Sequence, residues 1–218
     1  MGEIHFTTRD QKIILDAVKQ NDFLRSQFYF TGGTALSTVY LQHRHSEDID
    51  LFSDKKFDNQ IILGLVDGWS KQYHFRFNSR FVEIVYIFNL TFPDKAELKV
   101  DFAYYPYKQI EKPQLIDNIF VDSLADIAVN KLFAIQQRTE VKDFVDLYFL
   151  LQQFSLWDLI EGVRVKFHMS YDHMLLAADF TKVATFTSLP RMIKPLTLED
   201  LKTFFTKQAE ILARESVE

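Results

Sequence analysis

The spacing of hydrophobic positions changes along the chain. Up to about residue 122, segments with helical spacing alternate with strand-like runs. The helical segments are 8–21, 34–43 and 57–73, and the strand-like runs are 28–31, 48–52, 75–77, 81–90 and 98–105. Later segments, at 123–135, 141–153, 157–167, 172–178 and 197–213, are helical. We therefore predict an α/β (α+β) core at 1–122 and a helical C-terminal region at 123–218.

The amino-acid composition limits the classes of protein and the kinds of site that the chain can form. The 218 residues are 47% apolar and 25% charged, as in globular proteins, and they include 22 Phe. The absence of Cys excludes disulfides, thiolate metal sites and a cysteine nucleophile. No apolar run reaches the roughly 18–20 residues that a membrane helix needs, and the N-terminus lacks a basic-then-apolar signal. We expect a cytoplasmic protein that does not bind membranes.

The strongest chemical feature is an acidic pair in the second strand-like run. Residues 44–52 are Arg-His-Ser-Glu-Asp-Ile-Asp-Leu-Phe. Alternate residues of a strand share a face, so Asp48 and Asp50 stand side by side while Ile49 and Leu51 point into a core. Two adjacent carboxylates repel each other unless a cation lies between them. Mg²⁺ is the natural candidate because it prefers hard oxygen ligands, although an isolated Asp-x-Asp is most often a solvated strand face.

A glycine turn upstream adds a second feature. Gly32, Gly33 and Thr34 follow the strand-like run 28–31 and begin a helical segment. Glycines allow close approach of an anion, and the backbone N–H groups at a helix N-terminus favour phosphate. Together with the acidic pair, this turn predicts a phosphate cradle beside a metal site.

A third acid lies in a later strand-like run. In Leu-Lys-Val-Asp-Phe at 98–102, alternation puts Lys99 and Asp101 on one face. If this strand lies beside the strand of Asp48, Asp101 completes a three-carboxylate cluster. Such clusters suit two-metal phosphoryl transfer.

These motifs, taken in order, resemble the AbiEii/AbiGii toxin family of nucleotidyltransferases, within the DNA polymerase β-like superfamily. The resemblance rests on Gly-Gly-Thr-Ala-Leu at 32–36, Arg-x-Ser-x-Asp-Ile-Asp-Leu-Phe at 44–52 and Lys-Val-Asp-Phe at 99–102. It continues through a lysine motif at 126–138 and an aspartate motif at 142–148. The resemblance therefore implies a polymerase β-like core with a mixed sheet.

The resemblance also implies roles for individual residues. Asp48, Asp50 and Asp101 would hold the metal, expected to be Mg²⁺ with Mn²⁺ as the alternative ion. The nucleotide phosphates would lie against a set comprising Gly32, Gly33, Thr34, Arg44, Ser46, Lys131 and Arg138. It is open whether Thr34 or Ser46 hydrogen-bonds the phosphates.

Lys131 and Asp143 are the expected downstream functional residues. On a helix, Lys131 shares a face with apolar neighbours, so its ammonium needs a partner such as a triphosphate, or it extends to solvent. Asp143 lies beside leucines and needs donors such as Arg138 or Lys142. Asp143 is therefore either catalytic or a residue that orients Lys131 or Arg138.

The predicted reaction moves a nucleoside monophosphate from a nucleoside triphosphate to an acceptor. The resemblance implies a bacterial toxin with a cognate antitoxin, and tRNA is the preferred acceptor. The net charge of −5 argues against broad coating of nucleic acid, but segment 163–194 carries five Lys or Arg against two acids. Two alternatives stay open: transfer to a protein hydroxyl or a small molecule such as an aminoglycoside, and a catalytically silent nucleotide-binding module.

Overall fold

The structure is a computed structural model that describes residues 4–5 and 8–215. Its chain divides into two compact units. The first contains the described residues up to Tyr40, together with Ser46–Lys108 and Lys112–Asp122. The second contains Leu41–His45, Gln109–Glu111 and the described chain from Ser123 onward. The expectation about the N-terminal signal rested partly on residues 1–3 and 6, which lie outside the described part.

The first unit is organised by a mixed sheet of seven described strands. The strands are β1 (Tyr29–Thr31), β2 (Ile49–Ser53), β3 (Arg76–Val82), β4 (Val85–Thr91), β5 (Glu97–Tyr104), β6 (Gln114–Ile116) and β7 (Ile119–Val121). Their order is β3-β4-β5-β2-β1-β7-β6. The pairs β2–β5 and β1–β7 are parallel, and the other pairs are antiparallel. The mixed sheet confirms the predicted fold class.

Helical segments connect these strands. They are α1 (Arg9–Gln20), α2 (Asp22–Gln27), α3 (Gly32–Ala35) and α4 (Asn59–Tyr73), and α3 continues into a π-helical segment at Leu36–Leu41. The start of α1 is fixed by a capping box, in which the Thr8 hydroxyl accepts from the Gln11 amide and the Gln11 side chain accepts from the Thr8 amide. The predicted helix at 34–43 begins two residues earlier, at Gly32, and its helical residues end at Leu41.

Alternation along the central strands separates a buried apolar face from a polar one. Ile49 and Leu51 of β2 pair with Val100 and Phe102 of β5, and all four are buried. Phe102 also packs edge-to-face against Phe28 and Phe88. Burial of these large side chains supplies the main stabilisation of the unit and fixes the face on which Asp50 and Asp101 stand.

Two hairpins were not expected from the hydrophobic pattern. The predicted single run at 81–90 is wrong, because a two-residue turn at Glu83 and Ile84 splits it into β3 and β4. Glu83 has a φ of 54°, and nothing in its sequence neighbourhood signals a turn. The β6–β7 hairpin turns at Asp117 and Asn118, which have φ values of 47° and 64°. Asp and Asn tolerate this left-handed conformation, so this second turn did carry a signal.

The second unit contains five described α-helices. These are α5 (Leu124–Gln137), α6 (Val141–Leu150), α7 (Leu156–Phe167), α8 (His173–Thr181) and α9 (Leu198–Glu215). Phe144 and Phe180 each pack edge-to-face against Phe205, so aromatic side chains fill this core as well. Within the described ranges, no helix has both the length and the apolar composition needed to cross a bilayer.

Candidate functional site

The glycine turn lies directly against the acidic pair. Strand β1 ends at Thr31, and Gly32 begins α3 with a φ of 73°, a conformation that L side chains rarely adopt. A Cβ atom placed on Gly32 would overlap the Asp50 carboxylate. Glycine is therefore required at this position by its backbone conformation and by the close approach of Asp50.

The two hydroxyls that the sequence offers as phosphate contacts are bonded to each other. Thr34 Oγ1 donates to Ser46 Oγ at 2.9 Å. The Ser46 carbonyl also accepts from Gln11 Nε2 at 2.7 Å, which ties the segment before β2 to α1. Thr34 is fully buried and Ser46 is half-buried. Of the two, Ser46 is the one that a solvent-borne ligand reaches.

The strand register brings two of the three predicted metal-binding acids together. Asp50 and Asp101 are direct partners in the parallel pair β2–β5. Neighbouring strands lie about 4.8 Å apart, so the two carboxylates start from adjacent positions on one face. Asp48 lies two residues before Asp50, in the segment leading into β2. All three acids therefore belong to one face of the first unit.

Asp101 sits in an environment that disfavours its charge. Burial raises the pKa of Asp101, and nearby Asp48 raises it further. The hydrogen bond from Lys99 Nζ to Asp101 Oδ2, 2.5 Å long, opposes this increase but does not cancel it. Asp101 Oδ1 is buried and has no hydrogen-bond partner within the described chain. A buried carboxylate oxygen without a partner is suited to accept a hydrogen bond or to bind a cation.

These acids fit a divalent cation by their chemistry, although they are not arranged around one. Carboxylate oxygens are the ligands that Mg²⁺ and Mn²⁺ prefer, and the orphaned Oδ1 of Asp101 supplies one directly. Among the residues that the structure describes, no three His, Cys, Asp or Glu side chains are grouped as a metal site. Within the described chain, Lys99 forms an ion pair with Asp101.

In the second unit, Lys131 lies between two buried acids. Its Nζ donates to Asp143 Oδ1 at 2.7 Å and pairs with Asp146 Oδ2 at 2.6 Å. Burial lowers the pKa of Lys131, but the charges of Asp146 and Asp143 raise it by more, so the ammonium stays charged. Asp143 also accepts from Arg138 Nε at 2.7 Å. Lys131, Arg138 and Asp143, three residues predicted to be functional, are thus in direct contact.

Asp146 is the centre of this buried network. It accepts from Arg44 through Nε at 2.6 Å and Nη2 at 2.8 Å, and its Oδ1 lies 2.6 Å from His43 Nε2. Burial raises the pKa of Asp146, but Lys131 and Arg44 lower it by more, so the group is ionised. Burial lowers the pKa of His43, which makes the ring neutral with its proton on Nε2. Arg44, predicted to contact phosphate, is itself buried in this fork with Asp146.

His43 and Asp146 were absent from the candidate site residues. The signal for Asp146 was present, because it is the lone acid in the apolar run from Phe144 to Leu151. A carboxylate inside such a run needs buried cations. His43 carried no comparable signal, since only the folded chain brings it to Asp146.

Comparisons with known proteins identify the family of the chain and proteins of similar sequence. A family model described as "Nucleotidyl transferase AbiEii toxin, Type IV TA system" matches residues 13–215. Over 140 residues the chain is 35% identical to the uncharacterized protein aq_aa25 of Aquifex aeolicus (strain VF5). That alignment covers 62% of this chain and 63% of the relative, so it spans less than two thirds of the relative's length.

Solved structures show the same fold. A candidate nucleotidyltransferase from H. pylori superposes with a TM-score of 0.60 at 22% identity, over 94% of each chain. JHP933 from Helicobacter pylori gives 0.58 at 21% identity, over 94% of this chain and 91% of the other. MenT4, a nucleotidyltransferase toxin from Mycobacterium tuberculosis H37Rv, gives 0.53 at 15% identity, over 92% and 82%. These likenesses confirm the predicted nucleotidyltransferase fold.

Proposed function

The chain belongs to the nucleotidyl transferase AbiEii toxin family of type IV toxin–antitoxin systems, and on that premise we propose that it transfers a nucleoside monophosphate from a nucleoside triphosphate to an acceptor. The observation that carries this proposal is the register of β2 and β5, which pairs Asp50 with Asp101 beside the Gly32 turn. Paired carboxylates next to a glycine turn at the start of a helix are elements that phosphoryl transfer uses.

We assign metal binding to Asp48, Asp50 and Asp101. Mg²⁺, or Mn²⁺ in its place, would supply charge neutralisation for the triphosphate when bound there. The turn at Gly32, Gly33 and Thr34, with Ser46 as the reachable hydroxyl, would hold the phosphates through backbone and side-chain donors.

In the proposed chemical step, the nucleoside monophosphate moves to the acceptor and a group of this chain takes the proton that is released. The acceptor oxygen attacks the α-phosphorus and forms a new P–O bond, while the bond from the α-phosphorus to the bridging oxygen breaks and pyrophosphate leaves. The proton of the acceptor hydroxyl goes to Asp101, directly or through a water. The raised pKa of Asp101 suits a proton acceptor.

For the second unit we propose an electrostatic role. Lys131 would neutralise triphosphate charge, as its motif implies, and Asp143 would orient Lys131 and Arg138. In the present structure both oxygens of Asp143 are engaged by these two cations. We therefore assign Asp143 to positioning rather than to proton transfer. Arg44 is held by Asp146 within this unit.

We propose tRNA as the acceptor and a cognate antitoxin as the regulatory partner. Support for an RNA acceptor comes from the basic balance of segment 163–194, which carries five Lys or Arg against two acids. Of these five, Lys166 is buried against Asp126 and adds nothing to a surface, so the support rests on the other four. Support for the antitoxin comes from the family, which is described as part of a type IV toxin–antitoxin system. Both substrates, a nucleoside triphosphate and tRNA, place the proposed reaction in the bacterial cytoplasm.

A labelling experiment tests the proposal. Purified protein is incubated with each α-³²P nucleoside triphosphate, Mg²⁺ and total bacterial RNA, alongside the double variant Asp48→Ala/Asp50→Ala. An Asp67→Asn variant, which alters an exposed acid on α4, serves as the matched control. We expect label in tRNA-sized RNA from the wild type and the control, and none from the double variant.

Other outcomes separate the alternatives. Label on protein supports transfer to a protein hydroxyl, and label on an added aminoglycoside supports a small-molecule acceptor. Absence of label on every acceptor, with nucleotide binding retained in calorimetry, supports a silent nucleotide-binding module. Equal labelling by the wild type and the double variant contradicts the assignment of Asp48 and Asp50.

A further inference from the structure

Lys99 lies on the acidic face, the face of the first unit that carries Asp48, Asp50 and Asp101. Its ammonium is where a cation bound to these acids is expected. It lies two residues before Asp101 on β5, so both side chains are on one face of the sheet. The 2.5 Å contact between Lys99 Nζ and Asp101 Oδ2 is the ion pair that the structure gives this carboxylate. The Lys99 side chain is 35% exposed and that of Asp101 is 12% exposed. The lysine therefore reaches from the surface into the acidic face.

The Lys99 ammonium interacts with all three acids. Burial lowers the pKa of Lys99, but the bond to Asp101 and the charges of Asp101, Asp50 and Asp48 raise it by more. Without this ammonium, the carboxylates of this face would lose their hydrogen-bonded cation, and of the cations that act on Asp101, Arg80 would remain as a more distant charge. Lys99 thus stabilises the metal-free protein.

The two oxygens of Asp101 differ in their surroundings. One oxygen of Asp101 is bonded to Lys99, and the other is buried without a partner in the described chain. A divalent cation that takes Asp101 as a ligand competes with the ammonium for the same negative charge. The metal ion and the Lys99 ammonium therefore cannot both interact with Asp101 at full strength.

We propose that Lys99 is the resident counter-cation of the acidic face, and that a divalent metal binds by displacing its ammonium from Asp101. This inference rests on the proposed function, because it requires that Asp48, Asp50 and Asp101 bind a metal. The exchange needs no backbone movement, since a flexible, one-third exposed lysine turns out to solvent. The metal-free enzyme is thereby kept folded, and its affinity for a metal alone is lowered.

Metal binding to the nucleotide-free protein provides the test. Mn²⁺ is titrated into the full chain, and free Mn²⁺ is followed by its electron paramagnetic resonance signal. The wild type is compared with Lys99→Met, Lys99→Arg and Asp101→Asn. The matched control is Lys71→Met, which removes another lysine from an ion pair, with Asp67 at 2.6 Å on α4. The two Met variants change the net charge equally.

We expect Lys99→Met to lower the Kd for Mn²⁺ by about fivefold, the size of one partly exposed ion pair. Lys99→Arg keeps a cation and leaves the Kd within about twofold of the wild type, as does Lys71→Met. Asp101→Asn weakens binding. In a second readout, Mn²⁺ raises the thermal unfolding temperature of Lys99→Met by more than that of the wild type, because the uncompensated acids gain a partner.

Results that contradict the role of Lys99 can be told apart from results that contradict the metal site. An unchanged Kd in Lys99→Met, with binding still lost in Asp101→Asn, overturns the role of Lys99 and leaves the proposed metal site standing. A Kd that falls equally in Lys99→Met and Lys71→Met overturns it as well, since net charge would then explain the gain. If neither the wild type nor Lys99→Met binds Mn²⁺, both the exchange and the metal site are wrong.

Discussion

Asp50 and Asp101 are direct neighbours across the parallel pair β2–β5, although α4 and two strands separate them in the chain. The same register buries Ile49 against Val100 and Leu51 against Phe102 on the opposite face. A slip of one residue would bury the acids and expose the apolar side chains. The hydrophobic core therefore fixes the pairing of the two acids.

Neutralising Asp101 should remove activity without lowering stability at neutral pH. Because burial raises the pKa of Asp101, the folded state binds a proton more tightly than the unfolded state. The free energy of unfolding of the wild type then falls as pH rises from about 3.9 through the raised pKa, and it stays lower above it. Asp101→Asn cannot lose this proton. We expect its free energy of unfolding at pH 7, measured with urea, to equal or exceed that of the wild type.

The same Asp101→Asn variant should lose transferase activity by at least about a hundredfold, the contribution of a positioned proton acceptor. Asp94→Asn is the control, because Asp94 is an exposed acid whose Oδ1 accepts from the Ala96 amide, a bond that Asn can also accept. Full activity in Asp101→Asn would contradict the role of Asp101 as proton acceptor. Marked destabilisation at pH 7 would show instead that the charged form of Asp101 stabilises the fold.

Replacing Gly32 should damage both stability and the site. Gly32→Ala places a Cβ at a φ of 73° and against the Asp50 carboxylate. We expect a loss of about 1–3 kcal/mol in the free energy of unfolding, from left-handed backbone strain together with the displaced carboxylate. Labelling activity should fall with it, because Asp50 must move.

Gly64→Ala is the control for Gly32→Ala. Gly64 is exposed within α4, and an added Cβ there meets no atom within 4 Å. Alanine is the better helix former, so this variant should gain about 0.5–1 kcal/mol. Urea denaturation of both variants decides the matter, and similar changes in the two would contradict a special requirement at Gly32.

Removing the charge of Asp146 should destabilise the second unit in a pH-dependent way. Its carboxylate is fully buried and contacts Arg44, Lys131 and His43. Asp146→Asn leaves two buried cations undercompensated, so we expect a loss of about 3–5 kcal/mol at pH 7. Because the pKa of Asp146 is lowered by folding, its contribution is complete above about pH 3.9 and declines as pH falls below that value.

Urea denaturation between pH 7 and pH 3 measures this effect. The gap between the wild type and Asp146→Asn should narrow in the acidic part of that range. Asp67→Asn, at an exposed ion pair, should cost under about 1 kcal/mol. A gap that does not change with pH would mean that Asp146 acts through its shape rather than its charge.

Patterns of neighbouring residues were enough to predict most of the helices and strands. The caps of α1 and α5, the alternation in β2 and β5, and the glycine after β1 each depend on residues within a few positions of one another. Such short-range interactions are present in the sequence itself. The sequence pattern did not predict the turn at Glu83 and Ile84, because the pairing of β3 with β4 imposes a turn that neither residue favours.

The sequence by itself determined the fold class and which face of each strand carries its acids, because periods of 2.0 and 3.6 residues are local properties of the backbone. It also indicated the family, through the resemblance of its motifs at 32–36, 44–52 and 99–102. Only the tertiary structure decided which charges meet. It joined His43, Arg44 and Lys131 at Asp146. These partners come from separate segments, and their contacts depend on packing and on the low dielectric of a core that exists only in the folded chain.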